Sequence, residues 1–279
     1  MDLYQTVTDS IIRAIEAGAG DFKMPWRVAS GARPVNSSTG AAYNGVNIIS
    51  LWMAQQEKGY SCNQWATYKQ WEAQGAQVRK GEKASHIVFF KQVTRETDEG
   101  EESFPMLRGS AVFNAEQVEG FTIPTSEAKP VFNLSRADEI IAATKAIIRH
   151  QGSQAFYRRT TDEIYMPDRS LFHGTETRDA TESYYSVLLH EITHWTGAET
   201  RLKREFGKRF GDNAYAMEEL VAELGAAFLC ADLGVTQEPR QDHAQYIQNW
   251  LQVLKADKRA IFTAASQASK AASFVLESR

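Results

Sequence analysis

His190-Glu191-Ile192-Thr193-His194 sets two imidazoles four positions apart with a carboxylate between them. On a helix this spacing puts both histidines on one face about one turn apart, so two ring nitrogens can converge on a single metal ion. Glu191 then lies beside them, where it can take a proton from water that the ion acidifies, which is the chemistry of zinc hydrolases. The flanks support a helix: Tyr184 to Leu189 and Trp195 contain no proline and carry apolar residues at helical spacing. A bare match of this kind occurs by chance, and a polar copy would be a solvated helix face. Here Leu188, Leu189, Ile192 and Trp195 bury the helix, and two histidines with a glutamate are costly in a core unless something pairs with them. A metal ion removes that conflict; a structural His/Glu network is the alternative.

A catalytic zinc needs a third protein ligand and an open position. The next strong helix, Tyr215 to Cys230, is apolar on nearly every face after Leu220 and offers Glu219 and Glu223 one turn apart. Glu223 is the preferred ligand, because Ala222, Gly225, Ala226 and Ala227 are small and let this helix approach the first closely. Glu219 is expected to orient a ligand histidine, or else to replace Glu223 as the ligand. Glu218 points elsewhere and reads as solvated. Zn2+ is the expected ion, with Mn2+ or Co2+ as alternatives. His243 or Tyr246, on a later helix, can stabilise a developing oxyanion or serve only as packing groups. Ile164 to Met166 is the candidate strand for pairing with an extended peptide beside the cleft.

The elements that must position these groups follow from length and patterning. A chain of 279 residues favours two domains, and a hydrophobic fraction of 43% with 11% aromatics supports a core rather than disorder. The net charge of −4 excludes a globally basic nucleic-acid binder but not a local basic patch. Cys62 and Cys230 stand far apart, as expected of free thiols in a reducing compartment. The N-terminus has no signal-like stretch and no apolar run is long enough to span a bilayer, so a cytoplasmic protein without membrane contact is expected.

Residues 2–17 form an amphipathic helix, and 48–58 and 65–75 two more. Strands are expected over 85–94 and 104–114, with the acidic run Glu96 to Glu102 as a solvated loop between them. A linker over 124–130 separates these from a helix over 135–150, a hairpin of 155–158 with 163–166, the motif helix 180–196, and helices from His243 to the C-terminus. Arg201 to Gly211 reads as a basic loop, a lid or a phosphate-contacting patch. The fold class is α+β: an N-terminal α+β domain over 1–123 and a mainly helical domain with a small sheet over 131–279.

The N-terminal part interleaves aromatic and basic residues. Trp26, Tyr43, Trp65 and Tyr68 alternate with Arg33, Lys69, Arg79, Lys80 and Lys83, and Asn44 adds an amide in a Pro/Gly/Asn-rich loop. Rings that stack on bases beside cations that follow phosphates are what single-strand nucleic-acid binding requires. Sugar binding would use the same aromatics, and a buried core with a solvated cationic rim would have the same composition. His86, in an apolar strand, is read as structural.

With both halves in view, the chain resembles the ArdC-type antirestriction proteins of conjugative plasmids and their phage and mobile-element relatives. The resemblance rests on Pro25-Trp26, Asn36, Thr39-Gly40, Tyr43-Asn44-Gly45-Val46-Asn47, Trp65 to Gln70, Val78 to Lys83 and Val112-Phe113-Asn114 with Gln117. In the second half it rests on Tyr165-Met166-Pro167, Leu188 to Gly197 and Glu218 to Leu224. It implies an N-terminal domain that binds single-stranded DNA, a C-terminal zincin-like metallopeptidase domain, and a role in protecting incoming DNA from host restriction. Its alternatives are a DNA-shielding protein with a structural or vestigial metal domain, and a peptidase effector whose N-terminal half binds protein or sugar.

Overall fold

The structure, a computed structural model, describes residues 2–18, 24–26, 32–97, 100–123, 134–174, 179–205, 213–235 and 243–278. The N-terminal domain opens with α1 (Leu3–Gly18), whose Ile11, Ile12 and Ile15 are buried at helical spacing. A four-stranded sheet follows in the order β1-β2-β5-β4, from β1 (Val35–Asn36), β2 (Gln64–Ala66), β4 (Ser85–Thr97) and β5 (Gly100–Asn114). β1 runs parallel to β2, and β4 and β5 form a long antiparallel ribbon in register from Ser85↔Val112 to Thr97↔Gly100. Between these strands lie α2 (Val46–Lys58) and α3 (Tyr68–Ala73). Gly45 precedes α2 at φ 58°, ψ −140°, a conformation that asks for glycine. A reciprocal cap between Thr67 and Gln70 starts α3. β3 (Gln77–Val78) and β6 (Val118–Glu119) pair over a small separate core around Trp71.

The C-terminal domain comprises α4 (Leu134–Ala143), a three-stranded sheet in the order β7-β9-β8, and four helices. The strands are β7 (Ile147–His150), β8 (Phe156–Arg158) and β9 (Glu163–Met166); the helices are α5 (Ala180–Thr196), α6 (Asn213–Leu233), α7 (His243–Ala256) and α8 (Ala260–Leu276). The helix expected over 135–150 ends early. Lys145 takes a left-handed turn at φ 59°, and Ile147 to His150 pair in parallel with β9 instead. No described helix is long and apolar enough to cross a membrane.

The two domains share one hydrophobic core, which runs from Ile11 through Trp52 and Leu188 to Val275. Polar contacts also cross between them. Thr8 Oγ1 donates to the Lys258 carbonyl at 2.7 Å, Gly45 N donates to Ser269 Oγ at 2.9 Å, and Arg33 meets Asp232 at 3.0 Å. The linker expected at 124–130 lies outside the described residues.

Candidate metal centre

α5 carries the histidine pair. It starts on a reciprocal cap in which Asp179 accepts from Glu182 N at 2.8 Å while Glu182 accepts from Asp179 N at 3.2 Å. Every residue from Leu188 to Thr196 is buried, including His190, Glu191 and His194. α6 lies against α5 at Gly225, where an added Cβ would sit 2.5 Å from Thr193 Cγ2. The small residues of α6 thus permit the close approach that the sequence suggested.

Glu219 faces both histidines, whereas Glu223, the preferred ligand from the sequence, faces His190 alone. Nε2 of His190 lies 3.6 Å from one Glu219 oxygen and Nε2 of His194 lies 3.5 Å from the other. The donor atoms of these three side chains all fall within 4.8 Å of one another. Glu223 stands behind His190 instead: one oxygen is 3.9 Å from His190 Nδ1 and the other accepts from Trp26 Nε1 at 3.3 Å. Glu218, expected in solvent, is buried and orients the second histidine, with Oε1 3.1 Å from His194 Nδ1. Arg204 holds Glu218 through both oxygens at 2.8 and 2.9 Å and also donates to Thr196 Oγ1 at 2.8 Å. Both histidines present Nε2 to Glu219; His194 turns Nδ1 to a hydrogen-bonded carboxylate, as metal-ligating histidines do, whereas Nδ1 of His190 is buried 3.9 Å from Glu223 without a hydrogen-bond partner among the described residues.

The charge balance points to a cation. Glu191, Glu218 and Glu223 are buried and Glu219 is nearly so; Arg204 pairs with Glu218, and the exposed Arg159 also lines the cleft, so the described carboxylates outnumber the guanidinium groups near them. Burial opposes ionisation of Glu219, yet its carboxyl is held down because the His194 and His190 charges and the Tyr215 hydroxyl outweigh that penalty. Burial likewise opposes a charge on His194, but Glu219, Glu218 and Glu191 together raise its pKa. A divalent ion would satisfy these carboxylates with neutral imidazoles, and two nitrogens with one carboxylate oxygen fit Zn2+ or Mn2+.

The centre opens into a cleft of about 260 Å³ lined also by Phe156, Tyr157, Tyr215, Tyr246 and Trp250. Tyr246 is in the cleft as expected, and Tyr215, which sequence reasoning missed, has its hydroxyl 3.3 Å from that of Tyr246. The side chain of His243 lies outside the described residues. Ile164 to Met166 is not the available strand. β9 is the middle of its sheet and pairs on both sides, so the open edge beside the cleft belongs to β8. Tyr157 of β8 donates to Asp162 at 2.8 Å, and Asp162 pairs with Arg201, which stacks over Trp195 at 3.8 Å. Arg201 and Arg204 are thus structural clamps around the end of α5, not part of a phosphate-contacting patch; residues 206–211 of that loop lie outside the described residues.

The aromatic and basic residues of the N-terminal domain divide. Trp26, Trp65 and Tyr43 are buried, at 1%, 0% and 9% exposure. Burying roughly 200 Å² of indole is worth about 5 kcal/mol, whereas stacking on one base returns only about 1–3 kcal/mol. Withdrawing Trp26 or Trp65 to meet a base would therefore lose more than it gains. Arg33 is spent on Asp232 and lies 5.7 Å over the Phe228 ring. Arg79 clamps a turn, donating to Glu82 at 3.0 Å and to the carbonyls of Val118 and Glu116. Asn44, Tyr68, Lys69, Lys80 and Lys83 are exposed, with the Tyr68 hydroxyl accepting from Gln77 at 2.6 Å.

With this geometry the chain can be compared with known proteins. Residues 1–113 match the family model described as the N-terminal domain of anti-restriction factor ArdC, and residues 135–267 match that of a zincin-like metallopeptidase. Two crystal structures of the antirestriction ArdC protein from plasmid R388, one metal-free and one Mn(II)-bound, are 42% identical and cover 100% of this chain and 98% of theirs. Their TM-scores are 0.86 and 0.83. The chain is 46% identical to y4eC, an uncharacterized protein of Sinorhizobium fredii, over 98% of this chain and 91% of that one. It is also 36% identical to a DNA primase TraC of Escherichia coli, of which it spans 27%.

Proposed function

The chain belongs to the ArdC antirestriction family and carries a zincin-like domain, and from that premise we propose that it binds single-stranded DNA through its N-terminal domain and hydrolyses a peptide bond at a divalent metal in its C-terminal domain. The observation that carries the hydrolytic part is the convergence of His190, His194 and Glu219 beside Glu191 in an open cleft. His190, His194 and Glu219 would hold the ion, Zn2+ by expectation, with Mn2+ and Co2+ compatible with the same donors. Such an ion supplies Lewis acidity, polarising a carbonyl and acidifying water. Glu191 accepts and returns the proton, Glu218 holds the His194 imidazole in orientation, and Glu223 lies behind His190, within reach of Nδ1 after a small shift. Tyr246 can donate a hydrogen bond to an oxyanion in the cleft, while the Tyr215 hydroxyl is engaged with Glu219. An extended peptide is the fitting substrate class, because β8 offers main-chain groups at an open edge. The site of action proposed is the cytoplasm, where incoming DNA would be shielded from restriction.

The test is Glu191→Gln, which keeps the shape and removes the proton acceptor. Metal content should stay at the wild-type level while hydrolysis of a mixed peptide library falls by about 10²–10⁴-fold. Equal hydrolysis in both proteins would refute the catalytic reading. For the DNA reading, wild-type protein should shift a single strand in preference to a duplex, with affinity falling steeply as salt rises.

The shared core favours a second reading, in which the metal domain serves as structural support for a DNA-shielding domain. Unchanged protection of transferred DNA by Glu191→Gln would favour it.

A further inference from the structure

The ribbon of β4 and β5 has two unlike faces. Its register places Ile87 opposite Ser110, Phe89 opposite Arg108, Lys91 opposite Met106 and Val93 opposite Phe104, all on one face. Val88 opposite Gly109 and Phe90 opposite Leu107 take the other. The second face is tied to the body at its base. A Cβ on Gly109 would lie 3.6 Å from Leu3 of α1, and Asn47 at the start of α2 bonds the Val88 carbonyl and N–H at 2.7 and 2.8 Å. The first face opens to solvent: Phe89 is 46% and Phe104 39% exposed, and Lys91 and Arg108 are exposed beside them.

Phe90, 58% exposed, stands on the second face beyond its tied base, so ring exposure alone does not choose between the faces; the first face is set apart by two exposed cations, Lys91 and Arg108, beside its rings. An apolar protein surface would account for the rings but would leave Lys91 and Arg108 to be desolvated without counter-charge. A single nucleic-acid strand accounts for both, since its bases have free faces to stack on rings and its phosphates pair with the cations. A duplex offers no such faces. The exposed Lys80 and Lys83 precede Ser85 and stand at the foot of the ribbon. Beyond Val93 the sequence turns acidic, with Glu96, Asp98, Glu99, Glu101 and Glu102, so attraction for phosphate ends there. Phe89 and Phe104 are then the two ends of a platform about 13 Å long, four residues of strand.

We propose that the ribbon face formed by Phe89, Lys91, Phe104 and Arg108 is the stacking platform for single-stranded DNA. This rests on the reading that the N-terminal domain binds such DNA, and it moves the contact from the buried Trp26 and Trp65 to rings that are available. The rings supply sequence-tolerant stacking and the two cations supply the salt dependence.

The experiment measures binding of a fluorescent oligodeoxythymidylate by the full chain, by Phe89→Ala/Phe104→Ala, by Lys91→Ala/Arg108→Ala and by Leu171→Ala, an exposed apolar control on the other domain. The double ring variant should bind on the order of fifty-fold more weakly. The double cation variant should reduce the slope of log affinity against log salt by about 1.4. The control should bind as wild type, and all variants should melt as wild type. If wild type binds no oligonucleotide, the DNA reading fails and the platform with it. If wild type binds and both ribbon variants bind equally well with an unchanged slope, the platform is overturned while the DNA reading stands. If the ring variant leaves DNA binding intact but dissolves a self-associated form in sedimentation, the face is an interface between copies, which also overturns it.

Discussion

Trp26 donates its indole N–H to Glu223 at 3.3 Å, joining two residues 197 positions apart and two domains at the edge of the metal centre. Glu223 in turn faces His190 Nδ1. The N-terminal domain thus fixes a buried carboxylate that stands beside a candidate metal ligand, and the core shared by the two domains joins them at the same place.

Trp26→Phe should lower metal affinity without unfolding the protein. Phenylalanine keeps most of the buried apolar surface, including contact with Trp250, whose ring centroid is 5.8 Å away. It removes the donor to Glu223, and partners of this kind typically govern about 10–100-fold in metal affinity. Competition with a chelator, monitored by metal-sensitive dye, reads the change; affinity equal to wild type would mean that Trp26 is packing alone.

Glu219→Gln and Glu223→Gln should separate holding from aiming. Glu219 faces both Nε2 atoms, so its amide variant should purify with little metal. Glu223→Gln should retain metal at saturating concentration and lose about 10–100-fold in affinity. Elemental analysis at two metal concentrations distinguishes them. The reverse order would restore Glu223 as the ligand.

Gly225→Ala tests the approach of α6 to α5. In an ordinary helix interior this change stabilises by about 1 kcal/mol. Here the new methyl would meet Thr193 at 2.5 Å, and Thr193 is fixed by its bond to the Leu189 carbonyl at 2.8 Å. Overpacking of this kind costs about 1–3 kcal/mol or more. Destabilisation together with weaker metal binding is expected, because Thr193 sits inside the histidine motif. Thermal denaturation and chelator titration give the two readouts.

These outcomes bear on what was legible in the chain. The motif helix was, since spacing by four and a buried flank are local properties of residues 184–196. The choice between Glu219 and Glu223 was not: both lie on one face of α6, and the rotation of that helix against α5 decides which reaches Nε2. The role of Glu218 was hidden because it depends on Arg204, in a loop whose charges read as solvated. β7 was missed because Ile147 and Ile148 continue the apolar pattern of α4, while the left-handed turn at Lys145 leaves no glycine to mark it. The aromatic and basic N-terminal residues were ambiguous in principle, because a core with a cationic rim and a binding face share one composition. Only burial separates Trp26 and Trp65 from Phe89 and Phe104.

Asp162→Asn should make stability depend less on acid pH. Arg201 and the Tyr157 hydroxyl hydrogen-bond the Asp162 carboxylate, and despite an opposing burial effect its pKa is lowered, chiefly by Arg201. A depressed carboxyl pKa stabilises the fold fully above the unfolded value, about 4, and that contribution is lost as pH falls through the lower folded value. Asparagine tolerates the left-handed backbone at this position, φ 55°, so the substitution isolates the charge. Because Asp162 is half exposed, the effect at neutral pH is of the order of a surface ion pair, about 1 kcal/mol or less. Urea denaturation should therefore find the variant less stable at pH 7, with the gap narrowing below pH about 4 as the wild-type carboxylate is protonated. High salt should narrow it as well. Since Asp162 links β8 to the end of α5, the same variant should bind peptide more weakly at the cleft edge while its metal content is unchanged. A gap that persists undiminished in acid would show that the ion pair with Arg201 is not the source of the stabilisation.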